Sequence, residues 1–410
     1  MRSTTATQLD LDKLPRMAWD WVANEAMDPS ALMDELRELT WVAASDRGLE
    51  VFRYEDVSRL LRDRNMQKQP HRIMDRLTEM GITEGPVREY HERSILTQDG
   101  DPHVRLRLPL ASFFAPRRAE NLRDAARSIV ERALNRVADR PTIDVLNDLC
   151  ESIPSEMFCH LISAPPELGP QVARLSDSML GPLIERGTDR TAEHEAAYYE
   201  LISLLEELVA ERRRTPGDDV LSDLIEINRV GRLTEHELLD QAAMLLEASI
   251  DNTAHQLTWA LGYVLCEQDR WAMVKVGAQS PVPIAEEILR LASIGGAILR
   301  FPVEAFEYHD LIIPAGQPIF VNLRSANRDP RMFDDPTAFR TDRPSRPGPI
   351  TFGVGPHTCL GQHLARIELQ ELIAQFTAAF PDAELAKPPV MSYGPIASRV
   401  RHCAIRLNVA

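Results

Sequence analysis

The feature that most constrains this chain is an unbroken helical pattern near its middle. From Thr234 through "LLDQAAMLLEASIDNTAHQLTWALGYVLCEQ" apolar residues recur at three- and four-residue steps, with no glycine before Gly262. Thr234 and Glu237 have the spacing of a capping box. Roughly 30 residues at 1.5 Å each predict a rod about 45 Å long. Such a helix crosses a whole domain, so the fold has to be built around it. Polar residues in its middle are therefore conspicuous. Glu247, Ser249, Asp251 and Asn252 lie between the apolar runs "AAMLL" and "LTWALGYVL".

Around this rod the pattern is mainly helical with a minor β component. Residues 1–15 read as a loose tail. Short helical and strand-like pieces alternate from Asp28 to about residue 65. Gln67 to Asp99 is polar, is broken by Gly81, Gly85 and Pro86, and reads as containing a mobile loop. The helical period dominates from about 102 to 230 and returns in "IAEEILRLA". After Arg300 the sequence turns to strands, with "FEYHDLIIPAGQPIFVNL" reading as a hairpin around Pro314 to Gly316. A last long helix is "QHLARIELQELIAQFTAAF".

Composition excludes several classes. With 46 Lys and Arg against 62 Asp and Glu, the net charge of −16 argues against a nucleic-acid surface. The N-terminus lacks an apolar signal core, and no run of about 18 uncharged apolar residues marks a membrane span. The five cysteines are widely spaced, odd in number and without a CxxC pair, which disfavours a disulfide framework or structural zinc. A bacterial-type cytoplasmic enzyme fits.

Near the C-terminus "FGVGPHTCLG" places Cys359 in a stiff, glycine-rich turn just before a helix. Such a cysteine is a metal ligand, a nucleophile or an inert buried thiol. Close backbone and a helix N-terminus favour an anionic sulfur. No second Cys or His stands at zinc-like spacing, so a metal here has one protein ligand. A haem iron, already held by four porphyrin nitrogens, meets that condition.

Phe352, Gly355, His357, Cys359 and Gly361 realise the pattern Phe-x-x-Gly-x-His-x-Cys-x-Gly, which resembles the haem-binding loop of the cytochrome P450 superfamily. Other motifs follow in order. Glu287 and Arg290 in "EEILR" match the family's Glu-x-x-Arg, and "PTAFRTDR" supplies Arg343 as the third member of a structural network. "HVRLR" offers His103 and Arg107 at i,i+4. The resemblance implies haem b, with Cys359 as proximal ligand and Phe352, Gly353, Gly361 and Ala248 beside the ring. His103, Arg107, Arg300 and His357 are the cations for its propionates. The resemblance covers essentially the whole chain after the tail. It replaces the two or more domains suggested by length with one α-rich domain of triangular-prism type over residues 16–410, the haem lying between the long helix and the cysteine loop.

In the long helix the family's Ala/Gly-Gly-x-Asp/Glu-Thr aligns with Ala248, Ser249, Ile250, Asp251 and Asn252. The acid is retained, while Asn252 stands for the usual threonine and Ser249 for glycine. That departure puts the usual proton-delivery geometry in question. Ser249 and Asn252 share a face at i,i+3, and Thr253, a candidate substitute, points about 100° away. Glu247 either pairs with an internal cation, recognises a polar or cationic part of the substrate, or meets water on a rotated face. The expected pocket is lined by Met244, Glu247, Ala248, Gly296, Ile298, Ile396 and the loop between about 70 and 97.

The activity implied is a haem-thiolate monooxygenase that inserts one atom of O2 into a small lipophilic substrate. The register looks most like soluble bacterial members acting on terpenoids, such as the camphor and cineole hydroxylases. The chain has no flavin or ferredoxin region, so electrons come from a ferredoxin or flavodoxin with its reductase, with Arg107 and Arg366 as candidate contacts. The alternatives are a peroxide-driven or oxidative-coupling enzyme, suggested by the missing threonine, and a haem-binding sensor without turnover.

Overall fold

The computed structural model describes residues 6–68, 71–184 and 190–407. The chain packs as two compact units. The first is formed by residues 1–68, 259–359 and 387–403, the second by 69–258, 360–386 and 404–410. The boundary between them falls inside the long helix and again just after Cys359.

The first unit holds a five-stranded sheet, ordered Val42–Ser45, Gly48–Val51, Ile319–Asn322, Ala297–Pro302 and Met66–Gln67. Only the pairing of Gly48–Val51 with Ile319–Asn322 is parallel among these four contacts. Val42, Leu49, Val51, Ile319 and Val321 pack with Leu60 and Leu61 of the helix Tyr54–Arg62 in one buried cluster. These are largely β-branched or γ-branched side chains on short runs buried on both faces. Glu50, wholly buried on its strand, is held by Arg47 and by Asn322 Nδ2 at 3.0 Å.

The second unit is helical. Its helices include His71–Glu79, Pro86–Arg93, Gly100–Phe113, Arg123–Val137, Ser152–Leu161, Gly169–Ile184, Thr191–Arg214 and Gln362–Ala379. The last of these packs on Arg123–Val137, where Glu371 accepts from Arg123 at 3.0 Å and from Arg127 at 3.2 Å. Among the described residues, no helix is long and apolar enough to cross a membrane.

The long helix runs over Glu235–Leu265 and is uninterrupted. Its expected cap is present in both directions. Thr234 N–H donates to Glu237 Oε2 at 2.9 Å, and Glu237 N–H donates to Thr234 Oγ1 at 3.2 Å. Two orphan amides are thus satisfied at the end where the helix has no preceding turn.

Three sequence expectations change. The N-terminal stretch is docked where it is described: Thr7–Gln8 runs parallel to Leu311–Ile312, and Thr7 N–H donates to Asp310 O at 2.9 Å. Strand Leu311–Ile313 turns back on Phe306–Tyr308 at His309–Asp310, with His309 at φ +53°. Pro314–Gly316 instead leads out to the five-stranded sheet, whose strand Ala297–Pro302 starts before Arg300. The polar segment 67–99 contains two helices, His71–Glu79 and Pro86–Arg93. Met74, Leu77, Val87 and Tyr90 give each a narrow buried stripe, while Gly81 and Gly85 at positive φ separate them. Residues 69–70 of that segment lie outside the described residues.

Replacing Thr234 with Ala is expected to lower unfolding free energy by about 1 kcal/mol. Chemical denaturation of the two proteins side by side measures it.

Candidate active site

The cysteine loop is a series of nested turns in the first unit. Ile350 N–H donates to Asn327 Oδ1 at 2.8 Å, Gly353 N–H to Ile350 O at 2.8 Å, and Thr358 N–H to Gly355 O at 3.1 Å. Cys359 N–H closes the loop on Phe352 O at 2.9 Å. Gly355 is required here. It sits at φ +86°, and a Cβ on it would stand 2.4 Å from Leu61 O. The loop is thereby pressed against the helix Tyr54–Arg62. Cys359 is exposed, whereas Cys150, Cys159 and Cys403 are buried, and burial pushes the Cys159 thiol up to about 11.

The structural network forms as expected. Arg290 Nη2 and Nε donate to Glu287 at 2.6 and 2.8 Å, and Arg343 Nε donates to the same carboxylate at 3.0 Å. The part that carries this to the loop has no signature in the sequence. Asn327 accepts from Ile350 N–H, donates its amide to Thr351 Oγ1 at 2.8 Å, and offers its carbonyl to Arg290 at 2.9 Å. Thr351 in turn donates to Leu289 O at 2.7 Å. A lone Asn and a lone Thr in loops carry no periodicity to find them by.

Strand Ala297–Pro302 brings more of the expected residues to the same place. A Cβ on Gly353 would lie 3.2 Å from Ile298 Cδ1, and Arg300 is two residues on, on the same strand face. Arg300 is buried, and its Nη1 donates to Leu299 O at 2.9 Å. Gly296 N–H donates to Ile396 O at 2.8 Å, so two expected pocket residues are adjacent. Phe352 and His357 lie in the loop itself.

In the second unit His103 and Arg107 share a face of Gly100–Phe113, and His103 is buried. Gly361 stands at the N-cap of Gln362–Ala379. Met244, Ala248, Ser249, Asp251, Asn252 and Thr253 lie along the long helix. Asn252 does not meet Ser249. Its Nδ2 donates back to Ala248 O at 3.3 Å, one turn before it. Ser249 Oγ is buried without a hydrogen-bond partner among the described residues. Asp251 Oδ1 is 3.3 Å from His255 Nε2, a contact the sequence reading missed although i,i+4 spacing was there to show it.

Glu247 is buried and takes a hydrogen bond from the Tyr90 hydroxyl, not from a cation. Among the described residues it has no cationic partner, and it does not face water. Burial raises its pKa to about 7, and the Tyr90 bond pulls the other way. Tyr90 is driven well above its ordinary value, by burial first and then by Glu247. Beside it His91 and His194 stack, with their Nε2 atoms 3.3 Å apart, and burial lowers His91 to about 3.

The donor set fits a haem. Among the described residues, no group of three His, Cys, Asp or Glu could hold a metal ion. An iron held by Cys359 would therefore need its other ligands from a group such as a porphyrin.

The model of the cytochrome P450 family matches residues 284–384, the stretch holding the network and the cysteine loop. Over 374 residues the chain is 30% identical to luteothin monooxygenase of Streptomyces thioluteus, covering 91% of this chain and 89% of that one. It is 32% identical over 300 residues to nocardicin C N-oxygenase of Nocardia uniformis, covering 72% and 74%. Among solved structures, epothilone D-bound cytochrome P450epoK matches with a TM-score of 0.85 at 25% identity, over 95% of this chain and 99% of that one. The chain belongs to the cytochrome P450 family. It is a monooxygenase of that family, and its cofactor is haem with a cysteine thiolate as proximal ligand, Cys359 being the cysteine of its haem-loop motif. The relatives' names lend no support to the expected lean towards terpenoids.

Two outcomes follow. Gly355→Ala is expected to lose about 2–3 kcal/mol of stability and to retain less haem, read by denaturation and by absorbance. For Glu247 the folded pKa lies above the ordinary 4.5. The cost of burying its charge is then absent below that value and grows as pH rises towards about 7. Glu247→Gln should gain stability relative to wild type across that window, by something on the order of 3 kcal/mol. Unfolding curves at pH 5 and pH 8 check it, and an unchanged difference would refute the assignment.

Proposed function

We propose that this monooxygenase acts on a small lipophilic substrate and takes its electrons from a separate ferredoxin or flavodoxin with its reductase. The observation that carries the chemistry is Cys359, exposed at the end of a loop tied by four backbone amides. Bound haem supplies the oxygen-activating iron, and a thiolate ligand favours O–O cleavage there. The protein's own residues do the rest. The family resemblance assigns His103, Arg107, Arg300 and His357 to the haem propionates, through charge-assisted hydrogen bonds. Glu287, Arg290 and Arg343 fix the loop that aims the sulfur.

Asp251 supplies protons on the long helix. Asn252, in the place of the usual alcohol, has one amide hydrogen committed to Ala248 O, and an amide side chain can both donate and accept. Ser249 Oγ, buried and without a partner among the described residues, is a second donor on that helix. Thr253 is the remaining candidate there. The family resemblance assigns Met244, Ala248, Gly296, Ile298 and Ile396 to substrate contact. The substrate class is better sought among compounds like those of the named relatives, whose activities include 6-deoxyerythronolide B hydroxylation and nocardicin C N-oxygenation, than among terpenoids.

Asn252 favours a second reading, peroxide-driven oxidation, because an amide replaces the alcohol. Product formation with reductase and dioxygen, against peroxide alone, separates the two. The primary test is the spectrum of the reduced protein with carbon monoxide. A strongly red-shifted Soret band is expected, and Cys359→Ser should abolish it. A histidine-type spectrum in the native protein would remove the basis of the proposal.

A further inference from the structure

Asp251 Oδ1 and His255 Nε2 are 3.3 Å apart on one face of the long helix, and their side chains are only 12% and 11% exposed. At that separation the imidazole N–H of His255 can donate to the Asp251 carboxylate. The pair has acidic neighbours within the same unit. Glu151, half-buried at the start of Ser152–Leu161, has its carboxyl raised by burial and then by Asp177, lowered by His255, and raised again by Asp251. Asp177, on Gly169–Ile184, is 58% exposed and pairs with Arg190 at 2.7 Å.

We propose that His255 is the residue through which Asp251 is supplied with protons. An imidazole suits this place because it accepts a proton at Nδ1 while releasing the one at Nε2. One proton enters and one passes to Asp251 Oδ1, with no electron moved. A carboxylate enclosed by apolar side chains has no such source. His255 acts through Asp251, so it is a positioning and proton-supplying residue. The inference rests on the monooxygenase reading of the long helix given above.

The test compares holoprotein carrying His255→Gln or His255→Leu with wild type. Each is reduced, given excess reduced ferredoxin, and mixed with oxygenated buffer in H2O and in D2O. Return of the resting spectrum is timed by stopped flow. Glutamine keeps a hydrogen bond to Asp251 but cannot change protonation state. Both variants are expected to be slower by at least about tenfold, with a larger solvent isotope effect. A glutamine variant at the wild-type rate would mean that His255 only orients Asp251, and the relay would be wrong. A second readout needs no turnover. In 15N-histidine-labelled reduced carbonyl protein, Asp251→Asn should change the His255 tautomer, and an unchanged imidazole spectrum would overturn the contact itself. The carbonyl Soret band keeps the two levels apart. If wild type lacks the red shift, the oxygenase reading falls. If the shift is present and the glutamine variant is normal, only the relay falls.

Discussion

Everything around the cysteine depends on one buried cation. The Arg290 side chain is 1% exposed, and removing a guanidinium from water costs several kcal/mol unless its N–H groups find acceptors. Here they do. Glu287 takes two of them, and the carbonyls of Asn327, Pro336 and Ala338 take others at 2.9, 2.6 and 3.1 Å. Arg343 adds a second cation to the same carboxylate. A network satisfied to this degree is rigid, because moving any member leaves a charge buried without its partner. Asn327 transmits that rigidity to Ile350 and Thr351, and from there the nested turns lead to Cys359. The sulfur's position is set by electrostatics some way behind it.

The long helix shows the opposite strategy. Its length, its start and its capping box could all be read from Thr234, Glu237 and the apolar steps, because each is a local rule. The motif around Cys359 could be read for the same reason, since glycines at 353 and 355 report a backbone requirement directly. The Glu287–Arg290–Arg343 contact was recoverable because two members sit one helical turn apart.

What stayed hidden is what depends on tertiary partners. Tyr90 was assigned to a loop because its helix has only a narrow apolar stripe, so its bond to Glu247 could not be foreseen. Glu247 was expected to find a cation, a polar or cationic part of the substrate, or water, and the structure gives it a phenol hydroxyl, which donates to the acid without cancelling its charge. Asn327 and Thr351 carry no pattern at all. The hairpin was misplaced because Pro-Ala-Gly is the stronger turn signal, yet His309–Asp310 is where two strands of equal length can pair. The tail was read as loose because it is a chain terminus, while its docking is a matter of backbone hydrogen bonds, which any sequence can make.

The contact of Gly355 with Leu61 has a practical side. A main-chain atom of the helix Tyr54–Arg62 leaves no room for even a methyl group on the loop that ends in the iron's ligand. That helix belongs to the sheet core, far in sequence from any reacting group. Repacking it for thermostability would press on the ligand loop as a finger presses on a spring, and the colour of the haem would report the pressure. The visible spectrum of this protein is, in effect, a strain gauge for its own scaffold.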